Sequence, residues 1–124
     1  MFPDEALHDR IAELSVLESR VYPVLRPNGT DLPAATYRVV DLEVLARAMG
    51  QDALPHDVPY EVWFHAASFG QLREFLQDAF DLLNRWQPGA GSPVSDTYVE
   101  GYRDDYDQNS QVFIGRFTVR VLRA

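Results

Sequence analysis

A change of hydrophobic period between residues 58 and 86 constrains the fold of this chain more than any other feature. Residues 60–66 alternate between two faces, the period of two that predicts a β-strand. From residue 69 onward, apolar residues recur every three or four positions, which predicts an amphipathic helix. Ser68 and Gln71 have the spacing of a capping box at its start. Such a helix must fold back over the strand's sheet, because neither apolar face is stable in water alone. The predicted stripe is Phe69, Leu72, Leu76, Ala79, Leu83 and Trp86.

A second helix is predicted near the N-terminus. It begins at Asp4 and Glu5, whose charges favour a helix N-terminus, and it ends near Ser19. A short extended piece follows at 21–25, and then a loop with two prolines and the turn-forming pair Asn-Gly. The stretch 42–50 fits either a short surface helix or a mobile flap, and the sequence leaves both open. The expected buried stripe of the first helix is Leu7, Ile11, Leu14 and Leu17.

Three further strands are predicted, at 35–41, 96–102 and 112–122. The last two would form a hairpin around a polar turn from Asp104 to Ser110, with Tyr98 and Glu100 close to Arg116. The order of elements predicts one α+β domain over residues 1–124. In it, two main helices pack on a mostly antiparallel sheet of about four to five strands. The expected core is Val62, Phe64, Leu72, Leu76, Leu83, Phe117 and Val119.

Composition and charge exclude several classes of protein. The 124 residues include no cysteine, so disulfides and thiol chemistry are excluded. The acidic N-terminus and the lack of a long apolar run predict a protein made in the cytoplasm without a membrane segment. A net charge of −8 argues against a surface that binds nucleic acid. All eleven basic residues are arginine, which reflects either a GC-rich genome or a suitability for subunit contacts.

Catalytic and metal-binding patterns are incomplete in this sequence. The three histidines are far apart, in no spacing typical of a metal site. The segment 105–109 alternates oxygen ligands as a calcium loop does, but Ser110 and Arg116 stand where glycine and glutamate are required. No serine lies in a nucleophile elbow. We therefore expect no enzymatic activity, with no catalytic residue, cofactor or bound metal.

Aromatic residues and arginine favour an interaction protein instead, since both are enriched at protein–protein contacts. Trp63 and His65 share one face of the central strand, and Arg116 and Arg120 point outward from the last strand. We predict that these four side chains belong to a subunit interface.

The chain resembles the small tail-completion proteins of long-tailed bacteriophages, a group related to tail terminators and tail-to-head joining proteins. The resemblance rests on Arg-Val-Tyr-Pro at 20–23, on Leu-Pro-Ala-Ala-Thr-Tyr at 32–37, and on the strand 60–66 with its helix up to Leu83. It continues through the acidic turn to the strand 112–122 and covers roughly residues 11–123. These motifs are structural and carry no catalytic residue.

The resemblance implies a ring, usually of six copies, at the head-proximal end of a phage tail. Such a ring stops tube polymerisation and joins the tail to the head. The implied partners are other copies of the chain, the tail tube protein and a neck or head-connector protein. The location is the virion tail, after synthesis in the cytoplasm of a bacterial host. DNA would pass through without specific binding, and an acidic lining would repel its phosphates. We expect Asp104, Asp105 and Asp107 to face the lumen or the tube.

The alternative is a cytoplasmic α+β module unrelated to phage tails. It would be a small dimer that binds a ligand, or an inhibitor that mimics DNA through its acidity. A ring with a central hole favours the tail protein, whereas a compact dimer with an apolar pocket favours the alternative.

Overall fold

A single five-stranded sheet organises the part of the chain that the computed structural model describes, residues 3–40 and 56–124. The predicted helix or flap at 42–50 lies outside these residues. The strand order is β1-β2-β3-β5-β4, with β1 parallel to β2 and every other pair antiparallel. The predicted α+β class and mostly antiparallel sheet are confirmed. The elements are α1 (Asp4–Ala12), β1 (Val21–Pro23), β2 (Ala34–Val39), β3 (Asp57–Ala66), α2 (Phe69–Leu83), β4 (Val94–Asp107) and β5 (Val112–Arg123).

Strand β3 lies at the centre of the sheet and leads directly into α2, as its period predicts. Its side chains on the helix-covered face are buried, whereas Glu61 and Trp63 on the other face are half-buried. The capping box is present at the start of α2. The hydroxyl of Ser68 accepts a hydrogen bond of 3.0 Å from the backbone N–H of Gln71. The Gln71 amide oxygen accepts one of 2.8 Å from the N–H of Ala67, one residue before the cap.

Removal of this cap gives a simple test of the start of α2. Replacing Ser68 with alanine is expected to lower the free energy of unfolding by about 1 kcal/mol, because the Gln71 N–H loses its acceptor. Replacing Ser68 with glycine is expected to cost only about a few tenths of a kcal/mol. Urea denaturation of both variants measures the difference. Equal losses would show that the hydroxyl does not cap the helix.

The core lies between the helices and the sheet. Phe64 is completely buried, and its ring contacts those of Phe75 and Phe117, each at a centroid distance of 5.8 Å. Six of the seven predicted core residues are buried, but Leu76 is only partly buried at the edge of the core. Phe75 takes the more buried position, because α2 turns Leu72, Phe75 and Ala79 towards the sheet.

Both helices end earlier than predicted. Helix α1 stops at Ala12, and a short 3-10 turn at Ser15–Leu17 follows, after which Glu18 and Ser19 have positive φ angles that no α-helix can contain. The four residues of its predicted stripe are nevertheless buried. Helix α2 ends at Leu83 and not at Trp86, because the chain turns towards β4. There the N–H of Trp86 donates to the hydroxyl of Thr97 at 2.9 Å.

Strands β4 and β5 form the predicted antiparallel hairpin, but the predictions of its turn and of its register are wrong. Strand β4 continues through the acidic residues to Asp107, so the turn comprises only residues 108–111. Arg116 therefore lies opposite Arg103, not beside Tyr98 and Glu100, which lie near Arg120. The physical reason is aromatic packing along β4. The ring centroids of Tyr102 and Phe117 are 4.8 Å apart, and those of Tyr106 and Phe113 are 4.7 Å apart. These contacts keep the strands paired beyond residue 102.

Candidate interaction surface

The sheet face opposite α1 and α2 carries a group of charged and aromatic side chains. Neither described helix lies on this face. The register sets Arg38 of β2 opposite Glu61 of β3, and Trp63 of β3 opposite Arg116 of β5. Strand alternation points all four side chains to the same side of the sheet. We call these four residues the Trp63 cluster.

The indole of Trp63 lies at the centre of the Trp63 cluster. The guanidinium carbons of Arg38 and Arg116 are 4.5 and 4.1 Å from the centre of its ring, close enough for cation–π attraction. Its Nε1 donates a 2.7 Å hydrogen bond to the carboxylate of Glu61, which also lies 3.4 Å from Arg38. These contacts hold a large aromatic side chain in a fixed position at the surface, and such preorganisation favours binding.

Further ion pairs fix the arginines of this face. Arg116 lies 2.9 Å from Asp105. Arg120 contacts Asp57 at 2.7 Å and Glu100 at 2.6 Å, and its hydrogen bonds to Glu100 and Asp57 raise the pKa of Arg120. Glu100 lies at an irregularity of β4, between Val99 and Gly101. Of the four predicted interface residues, Trp63, Arg116 and Arg120 therefore lie on one partly exposed face.

His65, the fourth predicted interface residue, is buried in the floor of a groove on the same face. Its side chain is 8% exposed, and its Nε2 shares a hydrogen bond of 3.1 Å with the hydroxyl of Thr36. Burial lowers the pKa of His65 to about 4; the charge of Arg26 adds to the lowering, and Asp107 opposes it. The imidazole is therefore neutral at pH 7 and contributes no charge to the surface. The groove has a volume of about 420 Å³, and its walls are residues 24–29 and the β4–β5 turn.

The three acidic residues predicted to face a lumen or tube do not share one surface. Asp104 lies on the helix side, where it pairs with Arg73 and accepts a 2.6 Å hydrogen bond from Tyr102. That hydrogen bond, helped by Arg73, lowers the pKa of Asp104. Asp105 points to the opposite side, to Arg116. Asp107 ends β4, and a hydrogen bond from Ser110 lowers its pKa.

The sequence did not point to Arg38 as a member of this surface. The alternation of β2 places Arg38 on an outer face, but its position beside Trp63 depends on the pairing of β2 with β3. Among residues 3–40 and 56–124, no group of three or more histidine and carboxylate side chains could hold a metal ion. Aromatic and arginine side chains like those of the Trp63 cluster are enriched where proteins contact one another.

Comparison with solved structures shows a likeness of fold. No family model matches the chain, and no curated protein matches it. The fold, however, has a counterpart in a virion. A chain in the solved virion of a native gene transfer agent particle aligns with a TM-score of 0.59 and 12% sequence identity, over 91% of this chain and 83% of that one. At this identity the likeness is one of fold.

None of the helices in the described ranges has both the length and the apolar character of a membrane span.

Proposed function

We propose that this protein is a structural component of a phage-like virion. The observation that carries the proposal is the fold shared with a chain of the gene transfer agent virion, which extends over most of both chains. The sequence motifs that resemble phage tail-completion proteins lie on elements β1 to α2 and on β5. The surface is also that of a binding protein, because an aromatic–arginine cluster lies on a sheet face that neither described helix covers.

The specific role that we propose is to cap the head-proximal end of a tail tube as a ring and to join the tail to the head. Its partners would be other copies of the chain, the tail tube protein and a neck or head-connector protein. The net charge of −8 supports a position around DNA, since a ring multiplies this charge by its copy number and the sum repels phosphate. The protein would act without enzymatic activity or a cofactor.

Electron microscopy of the purified protein tests this role. We expect rings with a central hole, either of the protein alone or after addition of the tail tube protein encoded in the same genome. Deletion of the gene should leave heads and tails that do not join, and a plasmid copy should restore joined particles. A compact dimer that never attaches to tubes, together with normal particles from the deletion strain, would contradict the role and favour a ligand-binding module.

A further inference from the structure

The two outer strands of the sheet differ in how their free edges are closed. At β1, Pro23 has no N–H, and its carbonyl accepts a 2.7 Å hydrogen bond from the N–H of Leu25. The N–H of Val21 donates to the carbonyl of Ser19 at 2.9 Å. Prolines and covering loops are devices by which natural sheets prevent pairing with another strand. The β1 edge is therefore closed.

Strand β4, at the other side of the sheet, is covered over its first half. There the carbonyl of Thr97 accepts a 2.7 Å hydrogen bond from the N–H of Arg85. The N–H of Val99 donates to the side-chain oxygen of Asn84 at 3.1 Å. The segment that connects α2 to β4 thus occupies this part of the edge.

The second half of β4 has an open edge. Tyr102, Asp104 and Tyr106 alternate with the residues that hydrogen-bond to β5, so their backbone groups point away from the sheet. The N–H of Tyr106 donates to the side chain of Asp105 at 2.9 Å. In the described part of the chain, no hydrogen bond reaches the backbone N–H or C=O of Tyr102 or Asp104. An open strand of this kind is a template for pairing with another strand.

Exposed aromatic side chains lie beside this open edge. Phe69 and Tyr106 are 46% and 44% exposed, and both rings pack against Phe113. The three residues line a cavity of about 290 Å³ next to β4. A strand added to β4 would cover part of this surface, so the pairing would bury apolar area as well as close backbone hydrogen bonds.

Arg103 gives the open edge a cation that has no carboxylate partner. None of the ion pairs within residues 3–40 and 56–124 includes it, and it lies opposite the like charge of Arg116. Asp107, at the end of the same strand, also pairs with no arginine in these ranges. Both charges are therefore available to a second chain.

We propose that the open edge of β4 pairs antiparallel with the same edge of a second copy, about a twofold axis at Asp104. Arg103 of each copy then lies opposite Asp105 of the other and diagonal to its Asp107, which a long side chain can reach. The two five-stranded sheets become one continuous sheet. A contact of one surface with itself stops at two copies, so the pairing describes the free protein and does not rest on the proposed ring.

The same pairing closes the open backbone groups. Tyr102 of each copy lies opposite Tyr106 of the other, and the two Asp104 residues exchange N–H and C=O hydrogen bonds across the axis. The N–H of Tyr106 then leaves the carboxylate of Asp105. The oxygen that it leaves can accept a hydrogen bond from Arg103 of the other copy.

The charges favour this register over its neighbours. Moving the axis by one residue would set two Arg103 side chains, or two Asp105 side chains, directly opposite each other, which is destabilising. In the proposed register, the two Asp104 side chains meet at the axis. Their charges are already compensated, because each Asp104 pairs with Arg73 of its own chain.

Charge reversal and its complementation test the side-chain contacts. Arg103→Asp should raise the dissociation constant of the dimer by at least about tenfold, because it sets carboxylates against each other on both sides of the axis. Asp105→Arg should do the same by bringing arginines together. An equimolar mixture of the two variants should form heterodimers, because each chain supplies the charge that the other lacks. Sedimentation velocity and native mass spectrometry measure the association.

Arg85→Asp is the matched control for the charge. It makes the same change of charge at an exposed residue beside the covered half of β4, where it also removes an ion pair with Asp96. This variant should dimerise as the wild type does. Circular dichroism shows whether each variant is folded.

Proline at residue 104 tests the backbone contacts. Asp104→Pro removes an N–H that points away from β5, so the hairpin keeps its own hydrogen bonds while the dimer loses two at the axis. The matched control is Asp104→Ala, which loses the same carboxylate but keeps the N–H. We expect Asp104→Pro to be monomeric and Asp104→Ala to dimerise at least as tightly as the wild type.

Hydrogen exchange of the wild type, followed by NMR, needs no variant. The amides of Tyr102 and Asp104 should exchange more slowly as the protein concentration rises, whereas the amide of Val99, which already bonds to Asn84, should not respond. A wild type that stays monomeric at every concentration, or that associates without protecting these two amides, would overturn the pairing. So would tight dimers of Asp104→Pro, or variants of residues 103 and 105 that do not associate when mixed. None of these outcomes decides the proposed ring, which electron microscopy on tail tubes tests separately.

Discussion

Replacing Phe64 with alanine is expected to lower the free energy of unfolding by about 3–5 kcal/mol, the usual cost of removing a buried phenylalanine. The side chain is completely buried at the point where β3 pairs with both β2 and β5. Its ring contacts Phe75 of α2 and Phe117 of β5, so the truncation removes contacts that join the helix to the sheet. A domain of this size has a total free energy of unfolding of only about 5–15 kcal/mol, so this loss is a large fraction of its stability.

A matched variant separates burial from the loss of an aromatic ring as such. Phe80 of α2 is 38% exposed, and its replacement with alanine is expected to change the free energy of unfolding by less than about 1 kcal/mol. Urea denaturation of both variants, at concentrations where the protein is monomeric, gives the two values. Similar losses at both positions would mean that the core is not built around Phe64.

Local pattern was sufficient to predict the centre of the fold. The alternation of β3 and the helical period of α2 are both set by one buried face, and the Ser68 cap depends only on residues three positions apart. Such features can be predicted from the sequence, because each pattern depends only on residues within one helix or strand. Leu76 shows the limit of this argument. The apolar stripe of α2 is broader than the part of the helix that contacts the sheet. Packing against the sheet therefore determines that Phe75 is more buried than Leu76.

The hairpin shows why long-range pairs escape prediction. A run of three aspartates within four residues is typical of a solvated turn, yet Asp104 and Asp105 lie within β4. Arg73 and Arg116 compensate their charges, and Arg73 is thirty-one residues distant from Asp104 along the chain. The position of Arg38 beside Trp63 has the same origin, because the pairing of β2 with β3 creates it. The charge pattern alone predicts that these aspartates are exposed to solvent, because their arginine partners come close only in the folded sheet.

Lowering the pH from 7 to 5 is expected to cost the folded protein about 2 kcal/mol of stability through His65 alone. Its pKa is about 4 in the folded protein, against the ordinary value of 6.5 in an unfolded chain. Between these values the unfolded chain binds more protons, so stability is complete above pH 6.5 and falls as the pH decreases towards 4. Each pH unit within this window corresponds to about 1.4 kcal/mol.

Urea denaturation of the wild type and of His65→Gln at pH 7 and pH 5 measures this effect. Glutamine keeps a polar group near Thr36 but does not titrate. The free energy of unfolding of the variant should therefore fall much less between pH 7 and pH 5 than that of the wild type, whatever its value at pH 7. The comparison stops at pH 5, because Asp104 and Asp107, whose pKa values are lowered, begin to destabilise the fold as they bind protons at lower pH. An equal decrease in both proteins would show that another group causes the pH dependence and that the His65 imidazole is not held neutral by burial.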